Sequence, residues 1–333
     1  MSVNDDGNAD YISTGNLPVP YVVERLVHEA HERFRTNSDG VVSTVYPALE
    51  RAQRDLFGVC LVGTNGNIHA AGDVDHLFTI MSISKPFVFA LVCQAIGAQE
   101  CREKLGVNST GLPFNSLSAI ERSPDGRTNP MVNSGAIATT SLAPAKSAED
   151  RWEFILEGLS RFAGRRLVVN EEVYASASET NFRNRGIANV LHGYGRLGCD
   201  PKMATDLYTR QCCLDVNARD LAVMGATLAD GGINPLTGEW VVDNEVCHYT
   251  LAVMVTAGLY ETSGDWLCDI GLPGKSGIGG GIVTVSPGKS GLGTFAPLLD
   301  RAGNSVRGQL AARFLSRRLG MDMFVSEPYR EHN

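Results

Sequence analysis

The chain has 333 residues, 43% apolar and 20% charged, a balance that suits one large globular domain or two closely packed subdomains. A formal charge of −8 supplies no basic surface, so neither nucleic acid nor an anionic membrane is expected as a partner. The acidic, polar start Met1-Ser2-Val3-Asn4-Asp5-Asp6 and an apolar run, Pro86 to Ala98, that is too short for a bilayer and broken by Gln94 lead to the expectation of a cytoplasmic protein.

Residues 1–18 are polar and turn-rich and read as a flexible arm. Val19 to Phe34 repeats apolar residues at helical spacing through Val23, Leu26, Val27 and Ala30. Leu56 to Gly63 predicts a strand, Thr64-Asn65-Gly66-Asn67 a tight turn, and Ile68 to Ala71 the returning strand of a hairpin. A buried helix is then expected to start at Ser82, and from Phe87 to about Tyr260 the pattern is mainly helical, with loops at Gly111-Leu112-Pro113, Ser123-Pro124-Asp125-Gly126 and Asp230-Gly231-Gly232. After Gly271 strands return, Gly281 to Val285 and Leu292 to Pro297, and a helix from about Asn304 to Leu319 closes the chain. This order predicts an α+β fold: an antiparallel sheet flanked by helices, with a mainly helical subdomain. The expected organisation is one domain over 19–325, its sheet part about 19–81 and 261–325 and its helical part about 82–260.

Chemistry enters with Ser82-Ile83-Ser84-Lys85. Residues three apart share a helix face, so the Ser82 hydroxyl and the Lys85 amine can meet across one turn. Pro86 is tolerated near a helix start, where unpaired N–H groups and a partial positive charge favour both a deprotonated lysine and an oxyanion. By itself the four-residue pattern also fits an N-capping serine with a solvated lysine, and Ser84 is a second candidate cap. Gly271-Leu272-Pro273-Gly274-Lys275-Ser276-Gly277 shifts the balance, because serine acyl enzymes pair Ser-x-x-Lys with a Lys-Ser/Thr-Gly element of this kind.

Other signals fall away. His28-Glu29-Ala30-His31 has its second histidine one residue too early for a zinc-binding helix and reads as a solvated face; no metal is expected. Gly274-Lys275-Ser276 and Gly288-Lys289-Ser290 lack the leading glycine of a phosphate loop, having Asp269 and Val283 there. Gly277-Ile278-Gly279-Gly280-Gly281 lacks the strand-to-helix setting of a dinucleotide loop and predicts close backbone approach. The eight cysteines are scattered without a C-x-x-C pair and read mostly as small buried apolar residues.

Between the two lysine motifs lie Asn129-Pro130-Met131-Val132-Asn133-Ser134-Gly135-Ala136-Ile137, Asp206-Leu207-Tyr208-Thr209-Arg210-Gln211-Cys212 and Gly258-Leu259-Tyr260. With the Leu272 to Gly281 block and Ala296-Pro297-Leu298-Leu299-Asp300-Arg301-Ala302-Gly303-Asn304-Ser305-Val306, they resemble the serine-dependent glutaminase family, from about Asp39 to Leu319. The resemblance implies a β-lactamase/transpeptidase-like fold, L-glutamine as substrate, hydrolysis to glutamate and ammonia, no cofactor, and a homodimer or homotetramer. It implies Ser82 as nucleophile and Lys85 as its base. Asn133, Asn184, Tyr208 and Tyr260 would be substrate contacts, with the backbone of Ile278 and Ser82 holding the amide oxygen. On chemical grounds Tyr260 is expected to relay a proton to ammonia, and we infer that Lys275 keeps that phenol acidic.

Two departures bear on substrate choice. The family reads Tyr-Ile-Pro where this chain has Val45-Tyr46-Pro47; in an extended segment a one-residue shift reverses the face, so Tyr46 is expected to miss the site. The family also has a Ser-Glu pair with Asn seven residues after the Glu, and alignment on Asn184 puts Ala177 at the glutamate position. That carboxylate would pair with the substrate ammonium, a contact worth about 1.5–3 kcal/mol. Glu179, two residues on, is the candidate replacement. Two other readings stay open: an acyl-serine amidohydrolase whose substrate lacks a free α-amino group, and a binding relative without turnover. Retention of Ser82, Lys85, Tyr260 and Lys275 disfavours the second.

Overall fold

A strand that is apolar on both faces needs cover on both faces, and Gly58–Gly63 is such a strand: Val59 and Leu61 point one way, Cys60 and Val62 the other, and all are buried. In the computed structural model, which describes residues 15–326, this segment is β1 of a chain that continues with β2 (Ile68–Gly72), β3 (Phe78–Thr79), β4 (Val168–Val169), β5 (Leu214–Val216), β6 (Gly274–Ser276), β7 (Gly281–Ser286) and β8 (Ser290–Phe295). Five of them form an antiparallel sheet in the order β2-β1-β8-β7-β6. The expected N-terminal arm lies outside the described residues except for 15–18, where Leu17 packs against the apolar cluster under the first helix.

One face of the sheet is covered by two amphipathic helices, Pro20–Phe34 and Val306–Arg318. Val23, Leu26 and Val27 of the first and Ala311, Ala312 and Leu315 of the second join Val59, Leu61, Ile282 and Leu292 in a single cluster. The other face receives the helix Ala218–Ala229. Strand β8 alternates Gly291, Leu292 and Gly293, and its glycines face this helix: an added Cβ would lie 2.2 Å from the Ala222 carbonyl oxygen at Gly291 and 2.1 Å from that of Ala218 at Gly293. The helix start is fixed by a reciprocal cap, Asp220 N–H donating to Asn217 Oδ1 at 2.8 Å and Asn217 N–H to Asp220 Oδ2 at 2.9 Å. The segment 82–260, expected to be the helical part, thus also supplies a layer of the sheet part.

The helix Ser84–Ile96 is buried on every side from Ser84 to Cys93 and packs against Asn133–Ser141, Ala148–Ala163 and Asn244–Ala257. Two local expectations are corrected. The α-helix begins at Ser84, and Ser82 lies one step earlier in a 3-10 turn, Met81–Ile83; Ser84 donates its hydroxyl to Met81 O at 2.8 Å, so it is no N-cap. The region from Phe87 to Tyr260 also contributes to a second antiparallel sheet, β3-β5-β4, whose two- and three-residue strands are too short for a period of two to show. Among the described residues no single helix is long and apolar enough to cross a membrane.

Candidate active site

The site forms where the sheet meets the helical part. Ser82 is buried in its 3-10 turn, and Met81 before it has φ of 49°, a left-handed conformation that side chains rarely adopt. Tyr260, in the turn Tyr260–Thr262 after the helix Asn244–Ala257, has φ of 56°. Both non-glycine residues with left-handed backbone among those described therefore stand at one centre, where surrounding packing holds them against their intrinsic preference. The glycine loop between β6 and β7 presses on the same turn: a Cβ at Gly277 would lie 2.9 Å from Ile80 O, and one at Gly279 would lie 2.7 Å from Thr79 O. The predicted close approach is thus backbone against the Ser82 turn. It places Ile278 at the mouth of the site, its N–H without a hydrogen-bond acceptor among the described residues, while Gly277 and Gly280 donate to Gly281 O and Gly277 O.

Lys85 is 1% exposed, and its Nζ donates to Asn133 Oδ1 at 2.8 Å and Met131 O at 3.3 Å. Burial draws its pKa from 10.5 down to about 7, opposed only by Cys212. Asn133, at the start of its helix, accepts a further bond from the Tyr208 hydroxyl at 3.2 Å and donates Nδ2 to Asn184 Oδ1 at 3.0 Å. One network therefore joins four of the expected residues, Lys85, Asn133, Asn184 and Tyr208, drawn from four separate helices. Burial, with Cys212 adding to it, pushes the Tyr208 phenol well above 10.

Tyr260 donates to Ser276 O at 3.3 Å, and its ring lies under the Lys275 amine, 4.3 Å from ring centre to Nζ. Burial raises its pKa to about 12, partly offset by hydrogen bonding to Ser82 and Ser276. Lys275 is fully buried on β6 and donates to Gly258 O and Ser276 O, both at 2.8 Å. Burial and then repulsion from Lys85 hold its pKa well below 10.5, while the Tyr260 phenol beside it is raised and not lowered. The strand is braced from behind by Ser276 Oγ donating to Asn304 Oδ1 at 2.5 Å and Asn304 Nδ2 donating to Thr262 Oγ1 at 2.9 Å.

In front of Ser82 lies a cavity of about 140 Å³ whose lining includes Asn133, Asn184, Tyr208 and Ile278. Larger clefts, about 520 Å³ beside Arg102 and Arg127 and about 350 Å³ beside Tyr174 and Asp206, contain neither Ser82 nor Lys85. Tyr46 also lines the Ser82 cavity, which corrects the expectation that it turns away. The chain enters a 3-10 turn at Pro47, and alternation along an extended strand no longer governs its direction. Glu179 is exposed and outside the lining, whereas Ala177 is within it, so the carboxylate proposed as a replacement is not brought to the cavity. Neighbours that the sequence did not single out include Phe114, packed 4.6 Å from the Tyr260 ring, Arg183 and Cys212. Only Arg183, adjacent to Asn184, carried a signal that could have been used. Six cysteines are buried, Cys199 is half-buried and Cys268 exposed, and all are free. His31 stacks on Phe57 at 5.2 Å instead of facing solvent, and no group of metal ligands forms among the described residues.

Residues 40–324 match the glutaminase family model. The chain belongs to the glutaminase family. It is 77% identical over 335 residues to Glutaminase 2 of Yersinia pestis, covering 100% of this chain and 98% of that one. A solved structure described as probable glutaminase ybaS superposes with a TM-score of 0.91 at 42% identity, covering 93% of this chain and 100% of the other. A probable glutaminase from Bacillus subtilis complexed with 6-diazo-5-oxo-L-norleucine gives 0.83 at 28% identity, with coverage of 90% and 97%. This glutaminase shares with those structures the serine β-lactamase-like fold, as the family resemblance implied.

Proposed function

We propose that this glutaminase hydrolyses L-glutamine to L-glutamate and ammonia through an acyl-enzyme on Ser82, in a single catalytic domain over 19–325. The observation that carries the reading is the state of Lys85. A neutral lysine has two N–H bonds and one lone pair; Met131 O and Asn133 Oδ1 occupy the two N–H bonds, leaving the lone pair as acceptor for the Ser82 proton one turn away. Ser82 Oγ attacks the carboxamide carbon, and the backbone N–H groups of Ser82 and Ile278 hold the oxyanion, at about 3 kcal/mol per donor. The C–N bond then breaks, and Tyr260, whose raised pKa keeps it protonated, is positioned to hand a proton to departing ammonia. Water, deprotonated by the same groups, attacks the ester, and the Ser82–acyl bond breaks to release glutamate.

Asn184 Nδ2, which makes no other bond among the described residues, and Arg183 are suited to the substrate carboxylate. No residue need hold a cofactor for these steps. The proposal includes a homodimer or homotetramer in the cytoplasm, which sedimentation and cell fractionation test. The chemistry is tested by ammonia release from L-glutamine with Ser82→Ala as blank, and by mass spectrometry of the protein after an electrophilic glutamine analogue. Full turnover by the alanine variant, or a label elsewhere than Ser82, overturns it.

A further inference from the structure

The cavity before Ser82 has an unequal charge inventory. Arg183 lines it, and no carboxylate lines it among the described residues. Nearby acidic groups are held elsewhere. Glu179 is exposed outside the lining, Glu172 pairs with Arg51, and Asp206 bonds the Tyr174 hydroxyl and pairs with Arg210 at 2.9 Å. Toward Ala177 the polar lining is neutral: Tyr46, Thr180 and Asn181, whose Nδ2 is tied to Thr209 Oγ1 at 2.8 Å. An ammonium group entering here meets dipoles and a guanidinium but no opposite charge. A carboxylate meets Arg183 and the open Asn184 amide.

From this asymmetry we infer that the site recognises its substrate by carboxamide and carboxylate and not by an α-ammonium, so that the enzyme also hydrolyses des-amino ω-carboxamides such as glutaramate. The reaction parallels that of glutamine. Ser82 Oγ bonds to the amide carbon, the C–N bond breaks with ammonia taking a proton, and water then cleaves the Ser82 ester to give glutarate. The inference rests on the glutaminase reading of the same site, and the assay separates the two.

The full-length protein is assayed for ammonia release from L-glutamine and from glutaramate under kcat/KM conditions, with Ser82→Ala as blank. The expected result is a glutamine preference below about tenfold; a carboxylate partner for the ammonium would make it larger. A preference above tenfold overturns the inference and leaves the glutaminase reading standing. Release from glutaramate alone supports the inference and overturns the glutaminase reading, and silence on both substrates overturns both. Ala177→Glu is expected to raise the preference at least about tenfold. Should that variant fail to fold, product inhibition of the wild type decides the same point: glutarate is expected to inhibit within about tenfold of L-glutamate, and a wider gap overturns the inference.

Discussion

Replacing Lys85 with methionine is expected to stabilise the protein at neutral pH while abolishing its activity. Burial draws the lysine from 10.5 to about 7, which corresponds to about 5 kcal/mol of folding stability absent at pH 7 and below. Methionine has similar length and carries no charge to desolvate. Its cost is one orphaned carbonyl, Met131 O, about 1–3 kcal/mol; Asn133 Oδ1 keeps its bond from Tyr208. The variant should therefore be more stable by about 2–4 kcal/mol at pH 7. The sign reverses with alkalinity. Between pH 7 and 10.5 the unfolded chain holds a proton at Lys85 that the folded protein does not, so wild-type stability rises with pH and the advantage of the variant shrinks by about 1.4 kcal/mol per pH unit. Urea unfolding of both proteins at pH 7 and pH 9 measures this difference directly, and other titrating groups cancel between them. A stability gap that is the same at both pH values, or a variant that retains turnover, refutes the reasoning.

The same lysine sets the activity profile: wild-type kcat/KM is expected to rise about tenfold per pH unit below 7 and level off above it, and an inflection far from 7 counts against Lys85 as base. Because the Tyr260 phenol is pushed up to about 12, no falling limb should appear between pH 8 and 10; Tyr260→Phe should lower kcat about 10²- to 10⁴-fold without moving the rising limb. Ser82→Ala should reduce ammonia release by about 10⁴-fold or more with an unchanged circular dichroism spectrum, and residual activity near wild type would exclude it as nucleophile. Far from the site, Gly291→Ala puts a methyl 2.2 Å from Ala222 O and should destabilise by at least about 1–3 kcal/mol in chemical unfolding, with a neutral effect showing that the helix can retreat from the sheet.

Much of the framework was legible because it repeats. The helix Pro20–Phe34 shows its apolar stripe, β1 and β2 their hairpin around Asn65-Gly66, and β7 and β8 their alternation, each within a window long enough for a period to register. The Ser82 and Lys85 motif was legible for a related reason: its spacing is local, one helical turn, and the second lysine motif reinforced it. The short strands β3, β4 and β5 were not legible, since pairing across the fold and not local pattern makes them strands.

What the sequence determined by itself was the sheet-and-helix plan, the family, and the order of the blocks that form the site. Tertiary structure decided the electrostatics. Helices far apart in the chain close over Lys85 and draw its pKa down to about 7, and burial beside that second amine lowers the pKa of Lys275. Tyr46 reaches the cavity and Glu179 does not, because a 3-10 turn and the face of a helix aim them, and a one- or two-residue offset in sequence cannot specify that aim. Solvation and direction are properties of everything packed around a side chain, and neighbours in sequence are the smaller part of that surrounding.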